Sequence, residues 1–281
     1  MKSFTKILGL LLALSLLVAV MAGCGAGGGE PAPAPDDAAV TDDAAAPGGD
    51  EAAAPVSDKT YVIYSDNAFA PFEYYDTEAG VYVGLDMDLL AAIAEDQGFK
   101  YEMHNDGFDA SMGAVQSGQA DGMIAGMTIT EERMLTFDFS EGYFEDGQIM
   151  VVPADSTIAS PADLAGTTVA AKTSTQGAAY AESIKDEYGF EIQYYEDSPT
   201  MYTAVINGTN SACFEDFSVI GYAIQSEGLA LQTVGDVVNP GYYGFAVQKG
   251  MNPELIEMFN AGLANIKADG TYDQILANYG Y

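Results

Sequence analysis

The sequence predicts an α/β protein made of two successive units, each a mainly parallel sheet flanked by helices. Two patterns predict it. Short β-branched and aromatic runs alternate with stretches whose apolar residues recur at helical spacing. Those stretches open on capping residues and close on glycine. Strands that alternate with helices in this way pair in parallel, with the crossover helices covering both sheet faces.

The folded sequence begins at Lys59. Residues 60–65 (TYVIYS) read as a strand. Residues 84–98 (GLDMDLLAAIAEDQG) read as a helix with Leu85, Leu89 and Ile93 at i,i+4 spacing, Asp86 and Asp88 in its first turn, and Gly98 as its stop. Residues 100–104 predict a strand, 108–118 a short helix, 120–129 a buried strand, and 130–134 (TEERM) a helical turn. The second unit repeats the pattern: a capped helix over 160–166, a strand over 167–172, a helix over 175–189, and a strand over 190–195. A helix with Pro199 in its first turn follows over 198–208, then a strand over 211–216. Strands over 230–236 and 241–250 precede closing helices over 252–270 and 271–280. No Pro/Gly-rich linker separates the units, so the joint is expected as an extended crossing over 148–153 with a return over 244–248.

Composition excludes several functions. The 281 residues carry 42 acidic and 9 basic side chains, a formal charge of −33. Nucleic acid is excluded as a partner, because its phosphates need clustered Lys and Arg. Charge alone does not draw such a surface to anionic lipid, and the dispersed acids read as a solvating surface. No EF-hand or Cys/His metal spacing occurs, so no metal and no cofactor is expected. His104 is the only histidine and falls in a strand, while Cys213, between Ala212 and Phe214, reads as a small buried residue.

The first residues read as a targeting segment, with Lys2 and Lys6 ahead of an apolar run over 7–22. The small residues before Cys24 resemble a bacterial lipobox, although Met21 stands where leucine is usual. That resemblance implies a lipoprotein signal over 1–23, lipidation of Cys24, and an extracytoplasmic protein anchored to the membrane; an ordinary secretory signal is the alternative. Residues 25–58 are Gly, Ala, Pro, Asp and Glu with little to bury, so 24–58 is expected to be a disordered acidic tether.

Arg133 is the only arginine. Thr130 is placed to cap the turn that carries it, and Gly126 allows close approach to the backbone. Thr128 and Thr130 project to one side if strand geometry continues. A glycine amide, a threonine hydroxyl and a guanidinium therefore converge where a strand ends and a helix begins, which is where open α/β sheets bind ligands. Such a set suits a carboxylate, and lysine cannot reproduce the guanidinium fork. A surface pair with Glu132 or Asp138 is the competing reading, and the pattern leaves both open.

The runs YVIYSDNAFAPFEYYD (61–76), YVGLDMDLLAAIAEDQGF (82–99) and MIAGMTITEERMLTFDFSEGYF (123–144) resemble bacterial extracellular solute-binding proteins of family 3, the polar amino-acid binders of ABC importers. The likeness runs from about Thr60 to the C-terminus. It implies a type II periplasmic-binding-protein-like fold with two lobes, 59–150 plus 246–281 and 151–245, closing on one free amino acid. Carried over by position, Arg133 and Thr128 hold the α-carboxylate beside the Gly126 backbone, and Asp216 receives the α-ammonium. Phe69 and Phe108 sandwich the ligand side chain, and Asp66 lies near its end. Lys172 and Thr175 match contacts of the second lobe. Ser174 and Gln176 stand where the glutamine binder has glycine, and Glu215 replaces a histidine, so specificity stays open. Glutamine is favoured narrowly over basic amino acids, with ABC permease subunits as partners and a monomer expected. A dehydratase on the same fold and a sensor domain for a membrane receptor are the alternatives.

Overall fold

The computed structural model describes residues 59–281. The expected signal segment, Cys24 and the acidic tether lie outside the described residues. Along the chain run β1 (Thr60–Ser65), β2 (Ala68–Phe69), β3 (Glu73–Asp76), β4 (Val81–Val83), α1 (Leu85–Gln97), β5 (Lys100–Asn105), α2 (Phe108–Gln116), β6 (Gly122–Met123) and β7 (Phe137–Phe139). Next come β8 (Phe144–Pro153), β9 (Thr168–Lys172), α3 (Gln176–Tyr188), β10 (Glu191–Tyr195), α4 (Ser198–Ile206), β11 (Ala212–Asp216) and α5 (Phe217–Ser226). The long β12 (Leu231–Tyr243) leads to β13 (Ala246–Gln248), α6 (Pro253–Ala268) and α7 (Thr271–Asn278).

The helices start and stop where local chemistry directs. Thr175 Oγ1 accepts from the Ala178 amide at the head of α3, and Asp197 caps α4 by accepting from Thr200. Gly98 and Gly189 close α1 and α3 in the left-handed conformation.

Two five-stranded sheets form, in the orders β5-β1-β6-β13-β7 and β10-β9-β11-β8-β12. The expectation of mainly parallel sheets is corrected, because both are mixed. Within each βα run the pairing is parallel, β1 with β5 and β6, and β9 with β10 and β11. The strands that carry the chain between the sheets enter from the opposite end, so β13 and β8 pair antiparallel with their neighbours. A third sheet, β2-β3-β4, was not foreseen; its strands of 2, 4 and 3 residues are too short to show a period.

Three further boundaries differ from expectation. Of residues 120–129, only Gly122 and Met123 are laddered as a strand, with Thr128 making an isolated bridge to Tyr243. The separate strands expected over 230–236 and 241–250 are largely one, since β12 continues through Pro240. An edge strand tolerates the missing amide, and the β8–β12 register shifts there. Residues 148–153, expected as a crossing, pair with β11 and β12 and so belong to the second sheet.

Both faces of each sheet are covered. Leu85, Leu89 and Ile93 of α1 share a buried cluster with Leu255, Phe259 and Leu263 of α6, so the closing helices share a core with α1 and β1. Phe108, Val115, Met123 and Phe137 fill the opposite face. Cys213 is buried in a core of the second sheet with Val151 and Met201, as its apolar flanks indicated. Burial pushes its thiol well above the ordinary range, which disfavours a thiolate. Phe259 is 0 % exposed and stacks on Phe245 at 4.9 Å. Phe259→Ala is therefore expected to cost about 3–5 kcal/mol of unfolding free energy, measured by urea denaturation at fixed pH.

Candidate functional site

The sequence puts Arg133 at the start of a short 3-10 turn, Arg133–Leu135. Thr130 fixes that turn: its hydroxyl accepts from the Arg133 amide at 3.1 Å and its carbonyl from Met134 at 2.9 Å. The side chain turns inward. Arg133 Nη1 donates to the Thr128 carbonyl at 2.8 Å and Nη2 to the Ser174 carbonyl at 2.9 Å, so it reaches from the first sheet's elements to the loop after β9. Asp138, one alternative surface partner, is paired with Lys249. Burial lowers the guanidinium pKa to about 10, against the raising influence of Asp216, Glu132 and Tyr243. It stays charged at neutral pH.

All eleven expected contact residues line one cavity, with Ala125 as a twelfth. The first lobe contributes Asp66, Phe69, Phe108, Ala125, Gly126, Thr128 and Arg133; the second contributes Lys172, Thr175, Gln176, Glu215 and Asp216. Asp66, Lys172, Glu215 and Asp216 sit at the ends of β1, β9 and β11, and Phe108, Thr175 and Gln176 at the starts of α2 and α3. Phe69 is on β2, and Ala125, Gly126, Thr128 and Arg133 are in the segment after β6. Strand ends of this kind are where a doubly wound sheet opens. Gly177 lets α3 approach, because a Cβ there would stand 2.3 Å from the Phe214 carbonyl oxygen. A second groove between β3 and the α4–α5 pair has Glu227 in its lining and no Lys or Arg, so it does not balance both charges of a zwitterion.

Each charge in the cavity has fixed neighbours. Lys172, 2 % exposed, donates to Asp66, 1 % exposed, across the cleft. Asp66 also accepts from the amides of Asn67 and Ala68 at 2.7 and 3.3 Å. Burial pulls the Lys172 pKa down, but Asp66 and Glu215 outweigh it and leave it above the ordinary value. Its ammonium lies 4.7 Å from the Phe69 ring and 5.8 Å from that of Phe108. Arg133 lies 5.4 Å from Phe108, so both rings have cations against them.

Glu215 accepts from Tyr202 at 2.7 Å, Ser198 at 3.1 Å and the Asp216 amide at 3.0 Å. Burial raises its pKa, and Lys172 and these donors oppose the rise. Asp216 stands at the head of α5 but makes no capping bond. It accepts instead from Gln148 at 2.8 Å and from the Tyr243 hydroxyl. Burial, Glu215 and Asp146 raise its pKa to about 7.

One expectation changes. The Gly126 amide is not aimed at the cavity, since it donates to Asp86 Oδ2 at 2.8 Å. Gly126 keeps its place in the wall: its φ of 52° favours glycine, and a Cβ would stand 2.6 Å from the Phe69 ring. Ser174, at φ 63°, occupies a conformation that glycine adopts more cheaply. The supporting residues Gln148, Ser198, Tyr202 and Tyr243 were not identified from sequence; their partners lie 13 to 68 positions away.

Removing one partner of a buried pair strands the other. Asp66→Asn is expected to lower stability by about 3–5 kcal/mol in ligand-free denaturation, and the double variant Asp66→Leu/Lys172→Met by much less.

Residues 61–281 match the family model of bacterial extracellular solute-binding proteins, family 3. A probable histidine-binding protein of Neisseria gonorrhoeae is 31 % identical over 84 % of this chain and 87 % of its own. Substrate-binding domain 2 of Lactococcus lactis GlnP, solved in an open conformation, is 44 % identical over 81 % of this chain and 97 % of its own, with a TM-score of 0.57. An ancestral arginine-binding protein bound to arginine is only 35 % identical, over 79 % of this chain and 98 % of its own, yet its TM-score is 0.73. The shape thus follows the occupied relative more than the open one, in keeping with the Lys172–Asp66 and Arg133–Ser174 contacts across the cleft. The chain belongs to the bacterial extracellular solute-binding proteins, family 3.

Proposed function

We propose that the protein captures one free polar amino acid outside the cytoplasm by closing its two lobes on it, and delivers it to the permease of an ABC importer. One observation carries this reading: one cavity, lined from the elements of both sheets, contains the cation Arg133 and the acid Asp216. A zwitterion leaving water needs both charges matched, or desolvation outweighs binding. In this reading Arg133, with Thr128, grips the α-carboxylate. Asp216 receives the α-ammonium, whose charge keeps the acid ionised. Phe69 and Phe108 flank the side chain, Thr175 and Gln176 close the α3 side, and Asp66, Lys172 and Glu215 face its far end.

Glutamine is favoured narrowly over a basic ligand. Asp66 and Glu215 already accept from backbone and side-chain donors, and Lys172 beside them repels a cationic side chain. A neutral amide meets donors and acceptors without adding charge. Closure is a population shift toward contacts available only when the lobes meet. Its hinge is proposed where β8 and β12 leave the second sheet, around the pairs Phe144–Tyr243 and Glu145–Tyr242. The protein is proposed to act as a binding protein and not an enzyme, as a monomer held to the membrane by lipidated Cys24.

A thermal-shift series with the twenty amino acids identifies the ligand, since one that binds only the native state raises the melting temperature. Glutamine is expected to give the largest rise. Arg133→Ala is expected to fold and to lose about 3–5 kcal/mol of binding, at least several hundredfold, in calorimetric titration. Near-normal affinity in that variant removes Arg133 from the site.

A further inference from the structure

Four buried side-chain oxygens among the described residues lack a hydrogen-bond partner, and three belong to one pair: both carboxyl oxygens of Glu73 and Oδ1 of Asp86. Both residues are 0 % exposed. Buried carboxylates without donors are costly enough that each needs a physical reason. Asp86 Oδ2 is satisfied, accepting from the Gly126 amide and the Tyr143 hydroxyl, each at 2.8 Å. The Asp86 and Glu73 carboxyl groups are interacting neighbours. A proton on Glu73 resolves the arrangement: it neutralises the acid that has no donor and gives Asp86 Oδ1 the donor it lacks.

We propose that Glu73 and Asp86 share one proton, and that this pair is a positioning device for Gly126 in the cavity wall; only its consequence for binding rests on the amino-acid reading above. Glu73 comes from β3, Asp86 from the first turn of α1 and Gly126 from the segment after β6, so the pair ties three elements to one backbone amide. The ionisable groups facing Glu73 are Asp86, Asp66 and Lys172, and Tyr143 faces Asp86.

Burial, with the charges of Asp86 and Asp66, pushes Glu73 well up despite Lys172. Burial raises Asp86 to about 7 against the donors that hold its anion. Both shifts are upward, so the native pair keeps a proton that the unfolded chain has released. The stability tied to it is full below the ordinary carboxylate range and is lost as pH climbs through the raised values. When the shared proton leaves, two anions face each other and the hold on Gly126 weakens. Gly126 packs against Phe69, so the disturbance reaches the ring wall of the cavity.

The test needs no ligand. Carboxyl ¹³C resonances of Glu73 and Asp86, and the amide resonance of Gly126, are followed by NMR between about pH 4 and 10 in the wild-type protein and in Glu73→Gln. The wild type is expected to show a Glu73 carboxyl titrating above the ordinary glutamate range, with the Gly126 amide moving at the same midpoint. Glu73→Gln, which keeps a permanent donor, is expected to hold Gly126 at its low-pH position throughout. The proposal is overturned if both carboxyls titrate in the ordinary range, or if the wild-type Gly126 amide stays still while Glu73 titrates. Wild type alone decides if the variant does not fold. Because no amino acid is added, either result leaves the ligand reading to be judged on its own.

Discussion

The closed cleft depends on a balance of buried charge between its two halves. Lys172 from β9 meets Asp66 from the end of β1, both almost without solvent, while Arg133 reaches over to the Ser174 carbonyl. Neither half satisfies these groups alone. An ion pair taken out of water returns little net energy unless the remaining donors and acceptors are filled. Here the Asn67 and Ala68 amides fill Asp66, while Ser198 and Tyr202 fill the neighbouring Glu215 and Tyr243 fills Asp216. The network selects one relative position of the lobes more than it adds stability.

That constraint explains the architecture around it. β8 and β12 form a long antiparallel ribbon that is part of the second sheet at one end and approaches the first lobe at the other. Asp146 on β8 and Tyr243 at the end of β12 are hydrogen-bonded, and the same Tyr243 hydroxyl reaches Asp216 in the cavity. The acid proposed to meet the ligand's ammonium is thus one side chain removed from the strands about which the lobes would turn. Asp216 and the ribbon share a hydrogen-bonding residue, Tyr243, which in the proposed reading links ligand binding to closure.

Much of this was legible in the sequence, for identifiable reasons. Helices with a clean stop, such as α1 ending at Gly98, announced themselves through spacing and caps. The lone arginine after a T-I-T run was a candidate for gripping a carboxylate, and family resemblance, not periodicity, supplied Phe69, Phe108, Lys172, Glu215 and Asp216 as further candidates. Asp86 was read only as an acid suited to a helix N-terminus. It lies four residues before Leu90, on the buried face of α1, so the pattern held a warning that an acid points into the core. Its partners Glu73, Gly126 and Tyr143 are 13, 40 and 57 positions away along the chain, beyond the reach of local spacing. For the same reason the Gly126 amide was assigned to the ligand when it belongs to Asp86.

The most direct test of a zwitterion held between Arg133 and Asp216 uses the amino acid that most raises the melting temperature. Its affinity is compared by calorimetry with two analogues, one with the α-carboxylate capped as an amide and one with the α-ammonium replaced by hydrogen. Both are expected to bind at least a hundredfold more weakly, because each leaves a buried charge unmatched. An analogue that binds as tightly as the parent amino acid would contradict the assignment.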